Sequence, residues 1–169
     1  MFKKTWVLLV CLSILSGCVS DRVKKPPGSR TKPIEVQGGA LIPYFGFSVD
    51  ASYDNRLDGL VPGYKLLNVA VRNTSPFIVP MSPTKDRWTL VDHEGRVHRL
   101  MNSVKLSKVK IWRGLPSELR RQIEYPENIP VSYEVTFNLM IPEKVIAEEF
   151  EEVHYYNNYW KRTFVITKY

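Results

Sequence analysis

Cysteine is scarce in this 169-residue sequence: Cys11 and Cys18 are the only two, both near the start. Everything after them is without disulfides and without cysteine-held metals, so its stability has to come from a packed core. Histidine is nearly as rare. His93, His98 and His154 are the full set, and no HExxH spacing places two zinc ligands on one helix face. The Gly-x-Ser-x-Gly elbow of serine hydrolases is missing, and no free thiol lies beyond Cys18. Carboxylates alone remain as catalytic candidates, and such pairs arise by chance in any chain, so no enzyme and no cofactor is expected. The chain also lacks a long apolar run. The best is Trp6 to Leu15, ten residues interrupted by Ser13, against the roughly 20 that a membrane-spanning helix needs.

What stands at the amino terminus has another reading. Met1-Phe2-Lys3-Lys4 is a basic start, the apolar run follows, and small residues precede Cys18, which is the layout of a secretory signal peptide. Leu15-Ser16-Gly17-Cys18 resembles the lipobox of bacterial lipoproteins: apolar, small, small, cysteine. That resemblance implies cleavage between Gly17 and Cys18 and acylation of the Cys18 sulfur. With more than one acyl chain the anchor is stable, at about 0.8 kcal/mol per buried methylene. It also implies a destination. Val19, and not aspartate, follows the cysteine, so lipid anchoring to the outer membrane, facing the periplasm, is expected.

The expected organisation is a signal peptide over residues 1–17, a lipidated cysteine with a linker over 18–37, and one domain over 38–169. Pro26, Pro27, Gly28 and Pro33, with few large apolar groups, make the linker a partly extended spacer. The formal charge of +7 would suggest nucleic acid, but residues 38–169 hold 17 basic and 15 acidic side chains. Much of the excess lies in Lys3, Lys4, Arg22, Lys24, Lys25, Arg30 and Lys32. A basic tether suits anionic headgroups better than a nucleic acid, and no nucleic-acid partner is expected.

Beyond the linker, short runs alternate with turn residues. Phe45, Phe47, Val49 and Ala51 share one face of a strand, as do Leu67, Val69 and Val71 of a second. Trp88 and Leu90 belong to a third, and Asp92-His93-Glu94-Gly95-Arg96 is a hairpin loop with Gly95 left-handed. Leu115, Leu119 and Ile123, spaced by four behind Pro116, predict a short helix over 116–123. Val131, Tyr133, Val135, Phe137, Leu139 and Ile141 are read as the inward face of one long strand. Glu152 to Tyr156 and Arg162 to Lys168 complete a terminal pair.

About seven strands without strand-helix alternation predict an all-β antiparallel sandwich with a short helical insert. The strand Leu67 to Ser75, then Trp88 to Asp92 with its Gly95 turn, then Pro130 leading into Tyr133 to Ile141, is similar to the immunoglobulin-like domains common in secreted bacterial lipoproteins. That similarity implies a binding or accessory role and supplies no catalytic residues.

Candidate sites are few. Asp50, Asp54, Asn55 and Asp58 are read as turn residues before they are read as calcium ligands. Glu148, Glu149, Glu151 and Glu152 read as a solvated face with Phe150 and Val153 inward. No metal site is expected. Aromatics beside cations suit partner recognition, which singles out Tyr156, Tyr159 and Trp160 before Lys161, and Trp112 with Arg113. The expected function is a membrane-anchored envelope module that binds a protein or glycan. The alternatives are a cell-wall-acting enzyme or assistant, and a structural subunit of a secretion or pilus assembly.

Overall fold

The computed structural model describes residues 35–37 and 46–167 of the chain. The signal peptide, Gly17, Cys18, Phe45 and most of the expected linker lie outside them. The last three residues expected in the linker, Glu35–Gln37, form the first strand, β1.

The architecture is an antiparallel β-sandwich. One sheet contains β2 (Phe47–Tyr53), β3 (Tyr64–Asn73) and β8 (Glu134–Pro142), with β3 in the middle. The other has the order β1-β10-β9-β5-β6, from β5 (Arg87–Asp92), β6 (Val97–Arg99), β9 (Phe150–Asn157) and β10 (Arg162–Thr167). Two short strands, β4 (Val79–Pro80) and β7 (Asn128–Ile129), pair with each other at one end.

Alternation explains the core. Val49 and Ala51 of β2, Leu67, Val69 and Val71 of β3, and Phe137, Leu139 and Ile141 of β8 are buried between the sheets. Facing them are Trp88, Leu90, Val153, Tyr155, Phe164 and Ile166. Trp88 stacks on Tyr155 with ring centroids 4.0 Å apart, and its indole N–H donates to the Tyr125 hydroxyl at 3.0 Å. A buried indole thereby keeps its hydrogen bond.

The helical insert is larger than the sequence suggests. Three short helices, α1 (Val104–Ser107), α2 (Val109–Gly114) and α3 (Ser117–Gln122), cover the outer face of the three-stranded sheet. The reason lies in Leu66 and Met140, both fully buried although they sit on the face opposite the main core. Val104, Leu115, Leu119 and Ile123 pack over them, each fully buried side chain of this kind being worth about 1.5–3 kcal/mol. The Asn138 side-chain amide donates to the Gln122 carbonyl at 3.2 Å and ties α3 to the sheet.

The sequence reading is corrected at the start of β8. Val131 and Tyr133 do not point inward: they are 40% and 64% exposed. The chain turns there, with the Tyr133 N–H donating to the Pro130 carbonyl at 3.3 Å and Ser132 held at φ 63. A left-handed residue breaks the two-residue period, so the alternation before Glu134 is accidental.

Candidate functional site

The structure does not bring the sequence candidates together. Trp112 and Arg113 lie on α2, outside the three-stranded sheet. Trp112 is half-buried in the helical layer, and its ring lies 6.0 Å from the Arg120 guanidinium and 5.9 Å from the Lys105 ammonium. Arg113 is exposed. Tyr156 is on β9 of the other sheet, facing away from the core, with the Arg87 guanidinium 4.8 Å from its ring centre. Trp160 packs edge-on against Phe47 at 5.2 Å and borders the main core. Tyr159 alone among the tyrosine candidates is mostly solvent-facing, at 63% exposed.

The polar candidates resolve into local structure. Asp54 caps a 3-10 turn at Asn55–Leu57 and is gripped by Arg56, while Asp58 accepts a 2.6 Å bond from the Tyr53 hydroxyl. Asp92 lies 2.8 Å from both His98 Nε2 and Arg96 Nε, and His154 pairs with Glu152 at 2.6 Å. Among the described residues no three histidine, aspartate or glutamate side chains converge as metal ligands. Phe150 and Val153 are buried beside an outward Glu149 and Glu151.

Half of the exposed large apolar side chains among the described residues lie on neighbouring loops at one end of the sandwich, the others (Leu60, Val97, Leu106, Val109 and Ile146) being spread over other segments. Phe77, Ile78, Val131, Tyr133 and Tyr159 are 68%, 59%, 40%, 64% and 63% exposed. They sit on three segments, 74–79, 129–133 and 157–161, that two fully buried asparagines hold together. Asn73, at the end of β3, donates through its side-chain amide to the carbonyls of Phe77, Ile129 and Pro130, at 2.7, 3.1 and 3.2 Å. Its side-chain oxygen accepts from the Ser75 N–H and hydroxyl, and its backbone N–H donates to Tyr133. Asn157, at the end of β9, donates to the Pro80 carbonyl at 3.3 Å and accepts from the Trp160 N–H at 3.0 Å.

Neither family models nor curated proteins nor solved structures match the chain significantly. The site therefore rests on its own geometry.

Below the loops, Asp86 is 2% exposed and its carboxylate is filled by donors. It accepts from the N–H groups of Ser82 and Asn158 at 2.8 and 2.9 Å and from the hydroxyls of Tyr125 and Tyr155 at 3.0 and 3.4 Å. Burial, chiefly, pushes both phenols well above the ordinary tyrosine range. The cluster fixes the 157–161 turn to the strap leading into β5. The loop end is thus a hydrogen-bonded frame carrying exposed apolar side chains.

Sequence patterning reached Tyr159 but missed the rest. No periodicity marks Phe77 or Ile78 as exposed, and Val131 and Tyr133 mimic a strand face. The usable signal was Asn73 beside Thr74-Ser75-Pro76, a turn-forming run at a strand end.

Proposed function

We propose that this chain is an envelope lipoprotein held through acylated Cys18, and that its sandwich is a non-enzymatic module for a protein partner. The observation that carries the reading is the loop end: five large apolar side chains held out to solvent by a frame of buried asparagines. Monomeric proteins seldom leave such groups clustered without a use for them. The frame has a consequence for affinity, because loops already ordered need little further ordering when a partner binds. Ile78 and Val131 offer nothing that hydrogen-bonds a sugar hydroxyl, which favours a protein over a glycan.

The strand order supports the immunoglobulin-like part of the reading. β10, β9, β5 and β6 against β2, β3 and β8 follow the two-sheet order of immunoglobulin-type sandwiches, with a buried Trp88 on the strand where such domains place a tryptophan. In those domains end loops supply the recognition surface. The signal-like start, Cys18 and the basic linker support anchoring in the outer membrane on the periplasmic side.

Phe77→Ser together with Tyr133→Ser tests the reading. A photo-crosslinking residue at Ile78, used in intact cells, should yield one discrete adduct. Burying a Phe-sized side chain is worth about 1.5–3 kcal/mol, so the double variant should reduce adduct yield by about tenfold or more without changing the melting temperature of the domain. Adduct formation that persists undiminished in the double variant, or none in the parent, overturns the assignment.

A further inference from the structure

A second feature lies on the corner where the two sheets meet. Met101 bridges to Met140, so the chain leaving β6 closes the edge of the five-stranded sheet onto β8. The Ser103 hydroxyl then caps α1 by accepting from the Leu106 N–H at 3.3 Å. Between α1 and the strap before β5 this leaves a groove of about 460 Å³, lined by Arg87, Arg99, Met101, Asn102 and Ser103 among others.

Its exposed charges are both positive. Thr89 pairs with Arg99 across β5 and β6, so Arg87 and Arg99 fall on the same outer face of the sheet, as diagonal neighbours. Neither joins an ion pair among the described residues; Arg87 rests on the Tyr156 ring. The single acidic residue on the wall is Asp86, whose carboxylate is buried and already holds four donors. At the base of the groove Asn102 is 8% exposed. Its amide N–H groups donate to the carbonyls of Pro83 and Asp86 at 3.2 and 2.9 Å, while its side-chain oxygen is buried with no partner. Such an orphaned acceptor is uncommon in a folded core; it calls for a donor, so it would take a hydroxyl or N–H of the ligand body and not its anionic group.

We propose that this groove binds a small anionic ligand, through a carboxylate or phosphate that Arg87 and Arg99 receive together. Guanidinium groups offer such anions paired donors. A charge-assisted bond of that kind outweighs the exposed contact of Arg87 with Tyr156. Met101 and Leu106 supply an apolar wall for the body of the ligand. The groove shares Asp86 with the frame of the loop end but uses none of the exposed apolar side chains there.

The test is a titration of the full chain, in nonionic detergent, with inorganic phosphate and separately with citrate, followed by backbone amide shifts. Chloride at matched ionic strength is the reference. Saturable shifts at Arg99, Asn102 and Ser103 are expected, and tighter binding of phosphate or of citrate identifies which anion the groove prefers. Arg87→Gln with Arg99→Gln should weaken the binding at least tenfold while leaving the other amide positions in place, since both side chains are exposed. Shifts that do not saturate with either anion, or a binding constant unchanged in the double variant, overturn the proposal.

Discussion

Asp92 shows how one carboxylate can organise a hairpin. One oxygen accepts from the backbone N–H groups of Glu94 and Arg96 at 3.0 and 2.9 Å; the other lies 2.8 Å from Arg96 Nε and from His98 Nε2. The bond from His98 leads, and with the Arg96 bonds it holds the Asp92 carboxyl well below the usual range, against the opposing effect of burial. A carboxyl whose folded value is depressed stabilises the fold above its unfolded value, about 3.9, and loses that contribution as pH falls toward the folded value. Wild-type urea midpoints should therefore drop between about pH 6 and about pH 2.5, and Asp92→Asn should show a smaller drop over the same interval. An identical drop in both proteins would place the acid sensitivity elsewhere. Asp86 is a different case at the same scale. Its four donors come from the strap before β5, the 157–161 turn and two core tyrosines, so it joins segments distant in sequence where Asp92 joins the two arms of one hairpin.

At the scale of elements, two left-handed glycines separate backbone strain from crowding. Gly95, in the β5–β6 hairpin, has φ 76 and nothing within 4 Å of the position a Cβ would take. Gly46, before β2, has φ 55, but a Cβ there would overlap Thr74 Oγ1 and lie 2.7 Å from the Thr74 carbonyl carbon. Gly95→Ala should cost about 1–2 kcal/mol from the left-handed backbone alone, and Gly46→Ala should cost clearly more because backbone has to move. Chemical denaturation of the two variants checks the order; equal losses would mean that the loop at Thr74 yields freely. These turns also mark the limit of what the sequence shows. The Gly95 hairpin, the inward face of β3 and the spacing of Leu115, Leu119 and Ile123 are visible in it because each rests on a local period or turn residue. The extent of the helical layer is not visible, because Leu66 and Met140 look like ordinary outward strand positions until α1 to α3 cover them. Nor is the loop end, where Asn73 and Asn157 act on carbonyls as far along the chain as Pro130 and Pro80. Tyr159 is legible as an aromatic beside Lys161 and Arg162; Phe77 and Ile78 carry no such neighbour.

For the molecule as a whole, the proposal joins two attachments: a lipid at Cys18 and a partner at the loop end. The charge distribution fits this division, since the domain is almost balanced while the segment before it is basic. β1 sits at the edge of the five-stranded sheet, with Glu35 opposite Val165 of β10. Residues 35–37 therefore join the domain along that edge. No helix among the described residues is long and apolar enough to cross a membrane. Cys18→Ser should move the protein from the membrane pellet to the soluble fraction and leave an unprocessed chain. A partner at the loop end could hold some of that protein on the membrane by itself. Repeating the fractionation with Cys18→Ser combined with Phe77→Ser and Tyr133→Ser separates the two routes: a residue of pelleted protein that disappears only in the combined variant belongs to the partner. Full recovery in the pellet in every one of these variants would mean that neither the lipid at Cys18 nor the loop end attaches the chain to the membrane.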